Sequence, residues 1–111
     1  VKVYRIVPLA VWKAKMDPLP LAEIDKSDGY IHLSTKQQVL TTANLYFAPE
    51  TRPAVLCFEE SIFGANLRWE AVASRDGELF PHLYERRLSR IDVHAVQVLC
   101  HDGSGYSWPQ E

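Results

Sequence analysis

Two short segments of the chain set an imidazole beside a hydroxyl at strand spacing. Tyr30-Ile31-His32-Leu33-Ser34 alternates polar and apolar side chains, and Phe80-Pro81-His82-Leu83-Tyr84 repeats the pattern far along the chain. Side chains two apart on a strand point the same way, roughly 7 Å from each other. His32 and Ser34 therefore share a face with Tyr30, while Ile31 and Leu33 face a core; His82 shares a face with Phe80 and Tyr84. An imidazole next to a hydroxyl can move a proton near neutral pH or orient a polar ligand. Thr35 then begins a helix, and first-turn N–H groups pointing back at His32 and Ser34 suit an anion or a polarised carbonyl. Each group also has a plainer role: Ser34 or Thr35 as a helix cap, His82 as a half-buried ring, Tyr84 as a capping side chain.

Three more residues join the candidates. Arg68 and Glu70 share a face of the strand before His82, and Arg5 lies between Tyr4 and Ile6 in the first strand. Burying His32 and His82 at unrelated places would demand separate polar partners for each, whereas one wet cleft serves both. The two rings are therefore expected to converge, with Arg5, Tyr30, Ser34, Thr35, Glu70 and Tyr84 around them. His94 and His101 read as structural. No two histidines have the H-x-x-x-H spacing of a metal site, and no Gly-rich phosphate loop or Gly-x-Ser-x-Gly elbow occurs, so no metal is expected.

The elements that position these residues follow from pattern and punctuation. Val3 to Val7 is a strand closed by Pro8, and Leu9, Trp12 and Met16 mark a short helix stopped by Pro18 and Pro20. Leu21 to Ile24 is one loose helical turn, and Asp25-Lys26-Ser27-Asp28-Gly29 is a turn cluster. Thr35 to Phe47 is the long helix: Thr35 with Gln38 forms a capping box, and Val39, Leu40, Ala43, Tyr46 and Phe47 form its apolar stripe. Ala54 to Glu59 is a strand buried on both faces, and Leu67 to Ala73 is another. After the Arg75-Asp76-Gly77 turn, Leu79 to Tyr84 is a strand that Pro81 confines to an edge or a bend. Ile91 to Cys100 reads as a long central strand, and Asp102 to Glu111 as an irregular tail that Trp108 ties down. Helices early and closely linked strands late give an α+β fold: a mostly antiparallel, bent mixed sheet with one long and one short helix.

Composition narrows the function. The 111 residues suffice for one core, so residues 1–111 form a single domain. Net charge is −2 and the densest basic cluster is Arg86-Arg87 with Arg90, too little for general nucleic-acid binding, though a few arginines can hold one phosphorylated ligand. No apolar run reaches the roughly 20 residues of a membrane helix. Val1 to Arg5 reads as a strand rather than a signal peptide. Cys57 and Cys100 lie among apolar neighbours and read as two buried free thiols, so the default compartment is a reducing cytoplasm. The sequence sets no oligomeric state.

Taken together, Val3-Tyr4-Arg5-Ile6, Asp28-Gly29-Tyr30-Ile31-His32-Leu33-Ser34-Thr35 with Gln38, Trp69-Glu70, and Phe80-Pro81-His82-Leu83-Tyr84 resemble the bacterial domain-of-unknown-function family 952 over nearly the whole chain. That family more often has Glu-Gly-Phe where this chain has Asp28-Gly29-Tyr30. The resemblance implies the ADP-ribosyltransferase fold, in which a Gly-Ile-Tyr-Phe-Ser-like strand leads into a helix carrying Ala-x-x-Tyr. Here Gly29 to Ser34 leads into a helix carrying Ala43-Asn44-Leu45-Tyr46. In the RNA 2′-phosphotransferase branch the strand reads Val-His-Leu-Ser, similar to Ile31-His32-Leu33-Ser34. By that resemblance NAD or a related nucleotide is the implied ligand. His32 would lie where the superfamily packs the nicotinamide or holds a phosphate, and Arg5 would match the polar residue of its first strand. The superfamily's catalytic Glu sits on a late strand, often in Gln-x-Glu or Glu-x-Glu. Neither pattern occurs here; Glu70 is the nearest carboxylate and His82 the other occupant to consider. The alternative is a non-catalytic binding or interaction module on a degenerate form of this fold.

Overall fold

Strand β1 (Lys2–Pro8) opens the chain in the computed structural model, which describes residues 1–110. Helices α1 (Leu9–Lys13) and α2 (Glu23–Asp28), strand β2 (Ile31–His32) and helix α3 (Lys36–Tyr46) follow. Then come β3 (Pro53–Glu59), β4 (Leu67–Val72), β5 (Glu78–Leu83), β6 (Ala95–Val98), β7 (Cys100–His101) and β8 (Tyr106–Ser107), with short 3-10 turns between. The strands form two three-stranded sheets, β1-β3-β6 and β2-β5-β4, and a small β7-β8 hairpin. Every ladder is antiparallel, so the α+β class stands and the sheet is not mixed among the described residues. The two larger sheets meet at one bridge, where Tyr4 and Ser34 exchange backbone hydrogen bonds of 2.8 Å in both directions.

Alternation in the strands produces two cores. Val3 and Val7 of β1 join Leu56, Phe58, Ile31, Leu33 and Leu83 in a cluster packed between the sheets. Ile6 and Val55 on the opposite face join Val39 and Ala43 of α3, with Leu99 and Tyr106, in the second. The α3 stripe thus packs on the second core rather than against Ile31, Leu33 and Phe58. Leu40 and Phe47 are only partly buried there, and Tyr46 is 62% exposed. Trp69 of β4 is 38% exposed and donates its indole N–H to Glu60 at 2.8 Å.

Several sequence expectations are corrected by partners far away in the chain. The segment read as a turn from Asp25 to Gly29 is helical through Asp28, with Gly29 closing the helix in the left-handed region at φ 81°. Strand β5 is central, not an edge, despite Pro81. In an antiparallel ladder the N–H and C=O of a residue face the same neighbour. The Pro81 carbonyl accepts the Leu33 N–H at 3.1 Å, so its missing donor also faces Leu33, where the 31–34 segment is already leaving the sheet. The ladder to β4 stays unbroken. The predicted central strand Ile91 to Cys100 shrinks to β6, an edge strand paired only with β3. Cys57 is buried but Cys100 is exposed, and both are free thiols. The tail is ordered by the β7-β8 hairpin, in which buried Tyr106 donates its hydroxyl to the Phe47 carbonyl at 3.0 Å. Trp108 packs edge-on against Tyr4.

Candidate functional site

Peptide groups in an extended strand alternate in direction, so those of Leu33 face β5 while those of His32 and Ser34 face β1. Ser34 finds the Tyr4 backbone directly. At His32 the two strands have diverged, and side chains bridge the gap. Asp25 Oδ1 accepts the His32 N–H at 3.1 Å, and Arg5 Nη1 donates to the His32 carbonyl at 3.0 Å. Arg5 and Asp25 are themselves paired, Nη2 to Oδ2 at 2.5 Å and Nη1 to Oδ1 at 3.2 Å, with both side chains almost fully buried. Burial works to raise the Asp25 pKa. Hydrogen bonds from His32 and Arg5, the Arg5 charge and the Ala22 amide overcome it and hold the carboxyl well below the usual carboxylate range.

The two histidines come together, their ring centroids 5.7 Å apart, but their surroundings differ. His32 lies between two carboxylates, Nδ1 at 2.8 Å from Asp25 and Nε2 at 2.9 Å from Asp28. Both ring nitrogens are thus occupied by protein carboxylates, and neither is free for a ligand. His82 is 3% exposed, and its Nδ1 lies 2.9 Å from Glu70 Oε1. Burial depresses its pKa, against the opposing hydrogen bond to Glu70. The neutral ring with Nδ1–H on Glu70 carries its lone pair on Nε2. Among the described residues no buried side-chain polar atom lacks a partner, so this nitrogen, which meets no protein group, reaches solvent. Glu70 also accepts the Tyr84 hydroxyl at 2.6 Å. That bond is the first reason the Glu70 pKa lies low, and it pushes Tyr84 up to about 12.

Tyr30 ties the cluster together. Its ring stacks on His82 with centroids 4.0 Å apart and leans on His32 at 4.6 Å and on Tyr84 at 5.2 Å. Burial raises the Tyr30 pKa, with the Asp28 and Glu70 charges adding to it. Tyr30, His32 and His82 border a cleft of about 690 Å³ that opens between β1, the α2 segment, the end of α3 and the β4-β5 hairpin.

Of the sequence candidates, Arg5, Tyr30, His32, Ser34 and His82 line the cleft. Glu70 and Tyr84 stand behind His82 and reach the cleft through it, not as part of its wall. Thr35 caps α3, and its N–H is taken by Gln38 Oε1 at 3.0 Å, so neither its side chain nor that amide serves the cleft. Arg68 is exposed, its guanidinium stacked over the Tyr84 ring at 4.4 Å. His94 and His101 are exposed and remote from this wall. Asp25 and Asp28 went unrecognised in the turn-like run before Gly29. The available signal was the i, i+3 offset of Asp25 from Ala22, whose N–H it caps at 2.8 Å. No group of three or more His, Cys, Asp or Glu side chains among the described residues is placed to hold a metal ion.

Similar proteins set this geometry in a family. The crystal structure of protein CC0527 from Caulobacter crescentus is 33% identical to this chain, with 96% of this chain and 92% of that chain covered and a TM-score of 0.83. The solution structure of the same protein is 34% identical, covering 95% and 90%, with a TM-score of 0.76. No curated protein matches the chain. Residues 6–98, which include both histidines, Tyr30, Asp25 and Glu70, match the family model described as protein of unknown function (DUF952), and the chain belongs to that family.

Proposed function

We propose that the chain is an ADP-ribosyltransferase-like domain that binds NAD or a related nucleotide in the His-lined cleft. One observation carries the reading: the stacked Tyr30 and His82 rings both line a cleft of about 690 Å³, and His82 Nε2 has no protein partner. That volume lies within the range of small-molecule sites. A planar heterocycle can stack beside such a wall, and His82 Nε2 can accept a hydrogen bond from its amide or from a ribose hydroxyl. Glu70 fixes the tautomer, so His82 is the group equipped to take a proton there. The test is thermal denaturation against NAD, ADP-ribose and nucleoside phosphates. A ligand present at 100 times its dissociation constant stabilises the fold by about 2.7 kcal/mol. Absence of any shift across the panel rejects the reading.

A second reading, binding without transfer, has its own support. Asp28 is the one carboxylate among the residues lining the cleft, and it is already bound to His32. Glu70 is held behind His82. Neither stands ready to stabilise an oxocarbenium ion, which is the carboxylate's task in ADP-ribosyl transfer. Saturable NAD binding with no release of nicotinamide supports the module; nicotinamide release that His82→Gln abolishes supports the enzyme.

A further inference from the structure

The charges around the cleft are not evenly compensated. Arg5 is neutralised by Asp25, and Asp28 is hydrogen-bonded to His32. Arg75 lines the cleft as well and makes no ion pair among the described residues. It ends the 3-10 turn Ala73–Arg75 at the tip of the β4-β5 hairpin and is half-buried. Its guanidinium lies over the Phe80 ring, 4.7 Å from the centroid, and Nη1 donates to Thr42 Oγ1 of α3 at 3.0 Å. Neither acid of the hairpin turn pairs with it: Asp76, next in the chain, is exposed and makes no ion pair among the described residues, and Glu78 accepts from Gln38 Nε2 at 3.0 Å, one helical turn before Thr42. Arg75 is thus held on two sides, with its remaining donors uncommitted, and a guanidinium has five. A fixed, partly desolvated guanidinium suits bidentate recognition of phosphate.

Its position relative to the aromatic wall narrows the ligand. Phe80 and His82 are two apart on β5 and both border the cleft, so the two stacks, Arg75 on Phe80 and Tyr30 on His82, lie side by side. Along the strand that offset is roughly 7 Å, a distance one sugar can span between a ring and a phosphate. We infer that Arg75, steadied by Thr42 and Phe80, is the phosphate subsite of the cleft, and that the ligand carries a phosphate one sugar away from the ring that packs beside Tyr30 and His82. This rests on the nucleotide reading above and adds to it a residue and a phosphate position.

Matched probes separate the two claims. Nicotinamide mononucleotide and nicotinamide riboside differ by one phosphate, as do AMP and adenosine. The wild-type protein is expected to prefer the phosphorylated member of a pair by about 10-fold to 100-fold, the worth of a charge-assisted bidentate contact of about 1.5–3 kcal/mol. In Arg75→Gln the preference collapses to within about 3-fold while riboside affinity holds, which also shows that the variant is folded; Arg75→Lys keeps part of it. An undiminished preference in Arg75→Gln overturns the inference and leaves Arg75 a structural clamp between the hairpin and α3. A separate titration with inorganic pyrophosphate, followed at the Arg75 Nε–H resonance with Arg68 as control, covers the case in which no nucleoside binds. A saturable shift at Arg75 alone then upholds the phosphate subsite while the nucleotide reading fails. No selective shift there overturns both.

Discussion

Asp25→Asn tests the strut between β1 and the histidine strand. Asp25 accepts five hydrogen bonds: two from Arg5, two from His32 and one from the Ala22 amide. The substitution keeps the shape but offers one acceptor oxygen where there were two. Whichever way the amide is turned, its NH2 faces donors, either Arg5 and Ala22 or Arg5 and His32. It also leaves the buried Arg5 guanidinium without a counter-charge. Removing one partner of a buried pair costs about 3–5 kcal/mol, a large part of the roughly 5–15 kcal/mol that holds a domain folded. The loss is read by urea denaturation followed by far-UV circular dichroism.

The pH dependence separates charge from shape. The folded pKa of Asp25 lies below the ordinary 3.8, so the folded state resists protonation more than the unfolded chain does. The stabilisation is full above 3.8 and is lost as pH falls from there toward the folded value. The gap between wild type and Asp25→Asn should therefore be widest near neutral pH and narrow below 3.8. A loss of less than about 1 kcal/mol at neutral pH, the scale of an exposed pair, would refute the strut. So would a gap that stays constant into the acid range.

Three further outcomes are expected. Glu70→Gln keeps an acceptor oxygen but removes the charge that helps to raise the His82 pKa, so ring ¹⁵N shifts should report a pKa lower than in wild type; a rise contradicts the Nδ1–Glu70 contact. The His82 pKa lies below 6.5, so the unfolded chain takes up a proton that the folded ring resists, and wild type loses stability as pH falls from 6.5 toward the folded value. His82→Gln should flatten that slope in a denaturation series, and an unchanged slope assigns it elsewhere. Leu56→Ala, at a fully buried site between the sheets, should cost about 2–5 kcal/mol, while Tyr46→Ala on the exposed side of α3 should stay within about 0.5 kcal/mol; reversed magnitudes would contradict the burial of one and the exposure of the other.

What could be read from the sequence was local, and what could not was set by distant partners. The period-two pattern of Tyr30 to Ser34 and Phe80 to Tyr84 placed both imidazoles on one face, and the rings do meet. Thr35 and Gln38 marked the start of α3 because that motif closes within one turn. Asp25 escaped notice because Asp-Lys-Ser-Asp-Gly has the composition of a turn. Its helix is held in part by the bond to Arg5, 20 residues away. Pro81 misdirected the topology of β5 because its cost depends on which neighbour its absent N–H would face, and no single segment carries that information. Tyr46 fell at helical spacing with the stripe, yet it lies outside the second core, exposed and lining the cleft.

Similar strand patterns around His32 and His82 conceal opposite chemistry. Two imidazoles in one strand pattern look equivalent on paper. Once folded, His32 spends both nitrogens on Asp25 and Asp28, so it joins α2 to the strand and shapes the cleft with no ring nitrogen left free. His82 spends one nitrogen on Glu70 and leaves the other without a protein partner. The difference comes from the neighbouring elements: α2 brings two acids to His32, while β4 brings a single acid to His82 and shares it with Tyr84. Arg5 is likewise drawn out of ligand recognition by the acid that α2 supplies, and the uncompensated cation at the cleft is Arg75 on the β4-β5 hairpin. Groups already paired with one another build the walls here, and in the function proposed above ligand contacts fall to groups with hydrogen-bonding capacity to spare, His82 Nε2 and the Arg75 guanidinium among them.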